Sequence, residues 1–355
     1  MRPARRYRPD PLVKQNGAVR AARLHGVGDI RVADEPGPEP GPGESLVRVT
    51  AVGLCGSDLH WYTEGGIGDA VLARPLVVGH EFAGVIADGP RAGERVAVDP
   101  AIPCRTCALC REGHPNLCPA IGFAGHGTRD GGLREFLAWP TDLLYPLPES
   151  VSDADGALLE PLGVAIHAMD LAHLRVGGTV AVIGCGPIGL LLIQAVRAAG
   201  VTRVIAADPL AHRREAARRY GADTVFDPAA AGSAADFFAA ETGLGVDVAF
   251  DVSGTDAAID LALVAARPGA RVVLVGIPDT DATTFRASVA RRKGLTLVMV
   301  RRMKEVYPRA IRLAERGLVE LPSLVTHRYP LTEAATAFRT AAARDGLKVI
   351  IEPHQ

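Results

Sequence analysis

This chain lacks an excess of either positive or negative charge. Its 355 residues set 39 Lys plus Arg against 40 Asp plus Glu, a formal net charge of −1, so nothing electrostatic draws it to nucleic acid or to an anionic membrane. No apolar run approaches the ~18 residues that a membrane span requires; the longest, around Ile188 to Val196, is broken by Gln194. Cysteine is scarce as well. Four of the six cysteines fall within fifteen positions, unlike the even sprinkling of a small secreted disulfide framework. Lysine and asparagine are also rare, arginine supplying 35 of the 39 basic residues. With abundant Ala, Gly and Pro, this reads as nucleotide-composition bias in the source genome. The start, Met1 to Lys14, has neither the apolar core of about 7–15 residues that a secretory signal carries nor the serines of an organelle leader. Residues 1–18 read as a disordered tail or an upstream start-site extension, and a cytoplasmic protein is expected.

What is present belongs to a globular protein. An apolar share of 48% beside 22% charged residues excludes disorder as the overall state, and roughly 100–200 residues per domain predicts about two domains. Alternation over 45–52 and short β-rich runs at 82–86 and 94–98 are punctuated by Gly41-Pro42-Gly43, Asp88-Gly89-Pro90 and Asp130-Gly131-Gly132, which predicts a β-rich, barrel-like first domain. Near Ala157 the texture changes. Six apolar strand candidates (179–184, 203–208, 224–227, 246–253, 270–276 and 295–300) alternate with helical stretches (187–199, 213–220, 234–242, 257–266 and 285–293). That alternation means βαβ units and a parallel sheet. The last segment is mixed, with helices at 309–316 and 333–343 and strands at 324–329 and 348–351, and by pattern alone it suits either domain.

Gly184-Cys-Gly186-Pro187-Ile188-Gly189 is a G-x-G-x-x-G that follows a strand and opens a helix. The first glycine permits a tight turn, the second admits a pyrophosphate to the backbone, and the third lets helix pack on strand. Unpaired N–H groups at the helix start face the phosphates. Asp208 ends the next strand, where a carboxylate holds ribose hydroxyls and repels a 2′-phosphate, so NAD is expected over NADP. Arg213 and Arg214 are the residues that would support NADP. The bland alternative is a glycine-rich turn with a capping Asp.

Cys104-x2-Cys107-x2-Cys110-x7-Cys118 offers four thiolates in one loop, which satisfy tetrahedral Zn²⁺ and leave no open position, the mark of a structural site. Of the two other cysteines, Cys185 lies in the phosphate loop and reads as a small apolar filler. Cys55, in Gly53-Leu-Cys55-Gly-Ser57-Asp-Leu-His60, and Gly79-His80-Glu81 supply one sulfur, one nitrogen and one oxygen donor for a zinc with a vacancy. Singly, each has a bland reading: a core thiol, a turn histidine, a solvated charge. Glu160, within an apolar stretch, is costly to bury without a metal or hydrogen-bond partner; capping the next segment is its alternative.

Together these motifs, with Gly65-Gly-Ile-Gly68, Glu160-Pro-Leu and Val325-Thr-His-Arg-Tyr-Pro330, resemble the zinc-dependent medium-chain alcohol dehydrogenases, most closely their polyol (sorbitol dehydrogenase-like) branch, over about residues 19–353. The resemblance implies an α/β protein: a GroES-like β-rich catalytic domain over 19–160, rejoined by 305–355, around a Rossmann doubly wound parallel-sheet NAD-binding domain over 161–304. It implies a homodimer or homotetramer and two zincs per chain, one structural and one catalytic. Cys55, His80 and Glu81 would hold the catalytic zinc, with Glu160 either a direct ligand or reached through water. Ser57 and His60 match proton-relay positions, and Asp208 and Arg213 match adenosine-ribose contacts. Val275, Gly276 and Ile277 would be further cofactor contacts. Two positions depart from the family pattern: Trp61 stands where the sorbitol enzymes typically place Tyr, and Val300-Arg301-Arg302 where they have Phe-Arg-Tyr. Trp61 and Arg301 are the expected substrate contacts.

The reaction implied is reversible oxidation of a secondary alcohol, in a polyol, to a ketone, with hydride passing to NAD and the proton leaving through Ser57 and the cofactor ribose towards His60. The rival enzyme acts on threonine, butanediol or a sugar acid such as idonate. The rival of another class is a non-catalytic nucleotide-binding zinc sensor, which would not need Cys55, His80, Glu81, Ser57 and His60 together.

Overall fold

The computed structural model describes residues 17–127, 129–230 and 232–355; of the tail expected over 1–18, residues 1–16 lie outside the described residues. The chain divides into two compact units. The first runs from the start of the described residues to Gly66 and takes in Ala70–Glu160 and Val325–Gln355; the second is Ile67–Asp69 with Pro161–Leu324.

The trunk of the first unit is the strand Glu44–Gly53, in which Val47, Val49 and Ala51 are buried while Arg48 and Thr50 between them are half-exposed. A period of two places one face on a core. This strand is long enough to serve three partners. Phe136–Pro140 pairs with its first half, Lys348–Glu352 with Val52 and Gly53, and Glu81–Ile86 along its other edge. The sheet runs Leu144–Pro146, Arg95–Val98, Glu81–Ile86, Glu44–Gly53, Lys348–Glu352, Val325–Pro330, with Phe136–Pro140 branching from the trunk. Only its last pair is parallel among these described strands. A short ladder, Ala101–Ile102 with Gly122–Phe123, closes the neck of the four-cysteine loop.

The second unit is a six-stranded parallel sheet in the order Thr224–Phe226, Arg203–Ala207, Thr179–Ile183, Val246–Asp251, Ala266–Leu274, Thr296–Met299. All six strands expected there are found, the fifth beginning earlier, at Ala266. Strand order reverses on the two sides of Thr179–Ile183, and a reversal of this kind opens a crevice at the carboxyl ends of the strands where nucleotides bind. Among the described residues no helix is long and apolar enough to cross a membrane.

One boundary differs from expectation. The chain returns to the first unit at Val325, not near residue 305. The helix Tyr307–Glu315 and the segment after it are anchored to the second unit by polar contacts. Arg309 pairs with Asp170 at 3.0 Å, the Gln194 side chain exchanges two hydrogen bonds with the Glu320 backbone, and the Tyr220 hydroxyl meets Ser323 Oγ at 2.7 Å. Hydropathy carries no trace of such anchors.

Candidate active site

The helix Gly56–Glu64 follows the trunk strand and goes unmarked in the sequence pattern, because Gly56 and Ser57 are weak helix formers. Asp58 starts it. Its Oδ2 accepts from the Cys55 amide at 3.0 Å, making Cys55 the N-cap of a capping box. Cys55 is thereby held just beyond Gly53, which stands in register with Glu81 on the neighbouring strand. Just before that neighbour, Gly79 turns the chain at φ +95°, and a Cβ there would come within 2.9 Å of Val52 Cγ1. One donor atom each from Cys55, His80 and Glu81 lies within 4.8 Å of the others.

Asp58 does more than cap. Fully buried, it places Oδ1 3.3 Å from His80 Nδ1 and accepts from the Gly79 amide at 3.2 Å. With Nδ1 given to this carboxylate, the His80 Nε2 lone pair is left for a metal. Burial alone would raise the Asp58 carboxyl, but His80 and the two amides hold it below the usual range. Burial would likewise lower His80, yet Asp58 and Cys55 keep it well above an ordinary imidazole. Lys348, 2% exposed, donates to the Leu54 carbonyl at 2.9 Å and meets Glu81 Oε2 as an ion pair, by distance rather than hydrogen-bond alignment. A sulfur–nitrogen–oxygen donor set, its thiol half-buried and its histidine and carboxylate buried, with the histidine oriented by a second carboxylate, fits zinc.

The other expected residues fall as follows. Ser57 Oγ is 3.4 Å from His80 Nε2. His60 is held through Nδ1 by Glu64 at 3.0 Å. Glu160, in the first turn of the helix Leu159–Ala172, is 4% exposed; burial pushes its carboxyl up to about 8 against the pull of His80 and Lys348. It does not join the three donors within 4.8 Å. Trp61 is buried, its ring edge-on to His126. Arg301 is exposed.

The four cysteines of the loop also bring their sulfurs within 4.8 Å. Amides point at them, Cys107 N to Cys104 Sγ at 3.3 Å and Cys104 N to Cys118 Sγ at 3.4 Å. The Thr106 hydroxyl and neighbouring amides draw Cys104 down to about 6, while partial desolvation and the Cys107 sulfur push Cys110 up to about 12. This donor set fits a closed tetrahedral zinc.

In the second unit, Gly184 turns at φ +103°, and a Cβ on Gly189 would stand 2.0 Å from the Gly184 carbonyl oxygen. At Gly186, by contrast, a Cβ would meet only Arg213 Nη1, at 3.7 Å. The loop is thus tight where helix meets strand and open where a phosphate would approach, beside the N-terminus of the helix Pro187–Ala198. Asp208 accepts from the Cys185 and Leu210 amides, each at 2.8 Å. Arg214 is committed to the carbonyls of Asp208 and Pro209 and to Asp227. Cys185 is buried, its thiol pushed up to about 12 by that burial. Gly276 packs against Gly254 so closely that a Cβ would fall 2.0 Å from the Gly254 nitrogen. Of its neighbours, Val275 donates its amide to the Asp251 carbonyl and Ile277 is 44% exposed.

Comparison with known proteins shows the family to which these features belong. Residues 41–149 match the alcohol dehydrogenase GroES-like domain, and residues 187–316 match the zinc-binding dehydrogenase domain. The chain is 34% identical to sorbitol dehydrogenase of Bacillus subtilis over 97% of this chain and 99% of that one. It is 37% identical to the probable D-xylulose reductase A of Neosartorya fischeri over 92% and 95%. Among solved structures, 2R,3R-butanediol dehydrogenase from Bacillus subtilis is similar with a TM-score of 0.84, at 30% identity over 95% of this chain and 100% of that chain. The chain belongs to the zinc-dependent medium-chain alcohol dehydrogenases, in their polyol branch. As a member of that family it is an oxidoreductase that uses zinc and a nicotinamide cofactor, a polyol dehydrogenase with a GroES-like and a Rossmann part.

Two residues of this dehydrogenase's site carry no assignment from the sequence. Asp58 stood inside a motif already singled out, three positions after Cys55, where a capping-box acid belongs. Lys348 had a fainter signal: one of four lysines in an arginine-rich chain, heading the apolar run Val349-Ile350-Ile351.

Proposed function

We propose that this enzyme oxidises a secondary alcohol of a polyol to the ketone, hydride passing to NAD, with Cys55, His80 and Glu81 holding a catalytic zinc and Cys104, Cys107, Cys110 and Cys118 a structural one. The observation that carries this reading is the meeting of three unlike donors within 4.8 Å, His80 and Glu81 buried and Cys55 half-buried. When bound, zinc supplies Lewis acidity to the substrate oxygen. The protein supplies the rest. Asp58 orients His80, and Ser57, whose hydroxyl lies beside His80 Nε2, is placed to take the alcohol proton; a bound cofactor's ribose would extend that relay. His60, steadied by Glu64, exchanges that proton with solvent. Glu160, outside the common reach of the three donors, acts on the site through water.

Asp208, pinned by two amides, presents a fixed carboxylate where a 2′-phosphate would sit, and Arg214 has its Nη1 turned to Asp208, Pro209 and Asp227. Both favour NAD. Relatives named for sorbitol and for xylulose point to the sugar-alcohol and ketose pair, and the butanediol enzyme keeps a smaller diol as the second reading. The same reading makes the enzyme a cytoplasmic homodimer or homotetramer, to be checked by sedimentation.

The test is Cys55→Ala with metal analysis and a substrate panel of sorbitol, xylitol, threonine, butanediol and idonate under NAD and NADP. The parent should carry two zincs per chain and turn over polyols with NAD. The variant should keep one zinc, bind NAD and lose turnover. Substantial turnover by a variant holding its full zinc would refute the ligand assignment, and a parent with one zinc per chain would favour the sensor.

A further inference from the structure

Lys348 opens the strand Lys348–Glu352 and is almost wholly enclosed, a burial that a lysine withstands only with partners. Its ammonium lies between the Leu54 carbonyl and Glu81 Oε2. The trunk strand makes room for this pair. Gly53 stands opposite Glu81 on one side and Ile350 on the other. A methyl group on it would come within 2.3 Å of Glu81 Oε2 and 3.0 Å of Lys348 Cε. Three strands therefore converge to deliver a positive charge from the end of the chain, 294 residues from Leu54, onto a carboxylate of the donor set.

We propose that Lys348 is a positioning residue of the metal centre: by holding Glu81 at Oε2 it makes that carboxylate present one oxygen to the cation and offsets one negative charge of the donor set. The inference rests on the reading of Cys55, His80 and Glu81 as ligands. A carboxylate released from Lys348 is free to turn both oxygens to the cation and fill the position that a substrate oxygen needs. It also leaves the centre one unit more negative, which opposes loss of the alcohol proton. The titratable groups acting on Lys348 are Glu81, Cys55 and Glu160; one step further, Asp99 and His80 act on Glu160, and Asp58 acts on His80. Beside Lys348, only His80 among them can carry positive charge.

Cobalt-substituted parent, Lys348→Met and Lys348→Arg enzymes test this, each checked for metal content and for fold by circular dichroism. The spectrum of Cys55→Ala, which keeps the four-cysteine site, is subtracted to isolate the catalytic band. Lys348→Met should keep its cobalt but show a weakened band, as expected when coordination rises from four to five. Its rate–pH profile for alcohol oxidation should move up by about one pH unit, a loss of about tenfold on the ascending limb that closes in alkali. Lys348→Arg should restore much of both. An unchanged band with a uniform rate loss, or an earlier melt alone, would make Lys348 a mere pin for the last strand and overturn the proposal. A parent whose cobalt does not depend on Cys55 would sink the ligand reading itself. If Lys348→Met does not fold, Gly53→Ala displaces the pair while keeping its charge. An altered band then supports the proposal, and the parent band overturns it.

Discussion

The four-cysteine loop and the cluster of Cys55, His80 and Glu81 gather their donor atoms equally closely, within 4.8 Å, by opposite means. The loop is local. Its sulfurs come from one short stretch, its own amides and Thr106 point at them, and a two-residue ladder closes its neck. It packs little core of its own, so its order would rest on an ion held by the four sulfurs. The cluster is distributed. Its donors sit at the ends of two strands and are aimed by Asp58 on a helix and by Lys348 on the last strand, all of them set in a packed sheet. A site held by the fold keeps its shape whatever occupies it, and that is what leaves a ligand position open for chemistry.

The sharpest break between the two is Glu81→Ala. Losing a donor from the distributed site should lower turnover roughly 10³-fold, because several kcal/mol of charge stabilisation goes with it. It also strands Lys348 as a buried, unpaired cation, at a cost of about 3–5 kcal/mol in stability. Steady-state rates and denaturant unfolding read the two losses separately. Near-parent turnover would mean that the centre lies elsewhere.

Asp58→Asn comes next. It removes the charge that orients His80 but leaves every donor in place, so zinc affinity and kcat should each fall about 10–100-fold. Competition with a chelator measures the first. An unchanged zinc affinity would demote Asp58 to a helix cap.

The local/distributed contrast also governs what was readable in advance. The cysteine loop is legible because its spacing is the site. The glycine loop and the six strands of the second unit are legible for a related reason, since each is a contiguous run with its own period. Cys55, His80 and Glu81 are each ambiguous alone; their complementary donor types group them as a candidate zinc set, and resemblance to a family adds the catalytic role. Asp58 and Lys348 escaped because what makes them functional is a partner on another element. The return of the chain at Val325 escaped similarly, resting on contacts such as Gln194 with Glu320 that leave no period in the sequence.

Cys107→Ala attacks the local site. It should remove one zinc per chain and lower stability by about 2 kcal/mol, or roughly 4–8 °C in melting temperature. Turnover of the folded enzyme should stay within about threefold of the parent, since a few-fold change is all that a distant loop passes to a site held by the sheet. Loss of turnover comparable to Glu81→Ala, at full folding and with the other zinc retained, would collapse the distinction between the two sites.

The smallest effect is a slope rather than a loss, and it comes from protonation of the distributed site once its metal is stripped. His80 is held above its ordinary value chiefly by Asp58 and Cys55, so the folded chain binds a proton there that the unfolded chain releases. Stability from this source is complete below the unfolded imidazole value of about 6.5 and is lost as pH rises through the raised folded value. Asp58, held low, acts in the opposite sense: its contribution is complete above the unfolded carboxylate value of about 3.9 and fades as pH falls through the folded one. Chelator-treated protein should therefore gain stability on acidification from alkaline pH towards 6.5. Asp58→Asn should flatten that gain, because the charge that raises His80 is gone, while the emptied loop contributes equally to both proteins and cancels in their difference. Thermal melts across this pH range, parent minus variant, read the slope. Parallel curves would show that Asp58 does not set the proton affinity of His80, and that the distributed site is tuned by Cys55 alone.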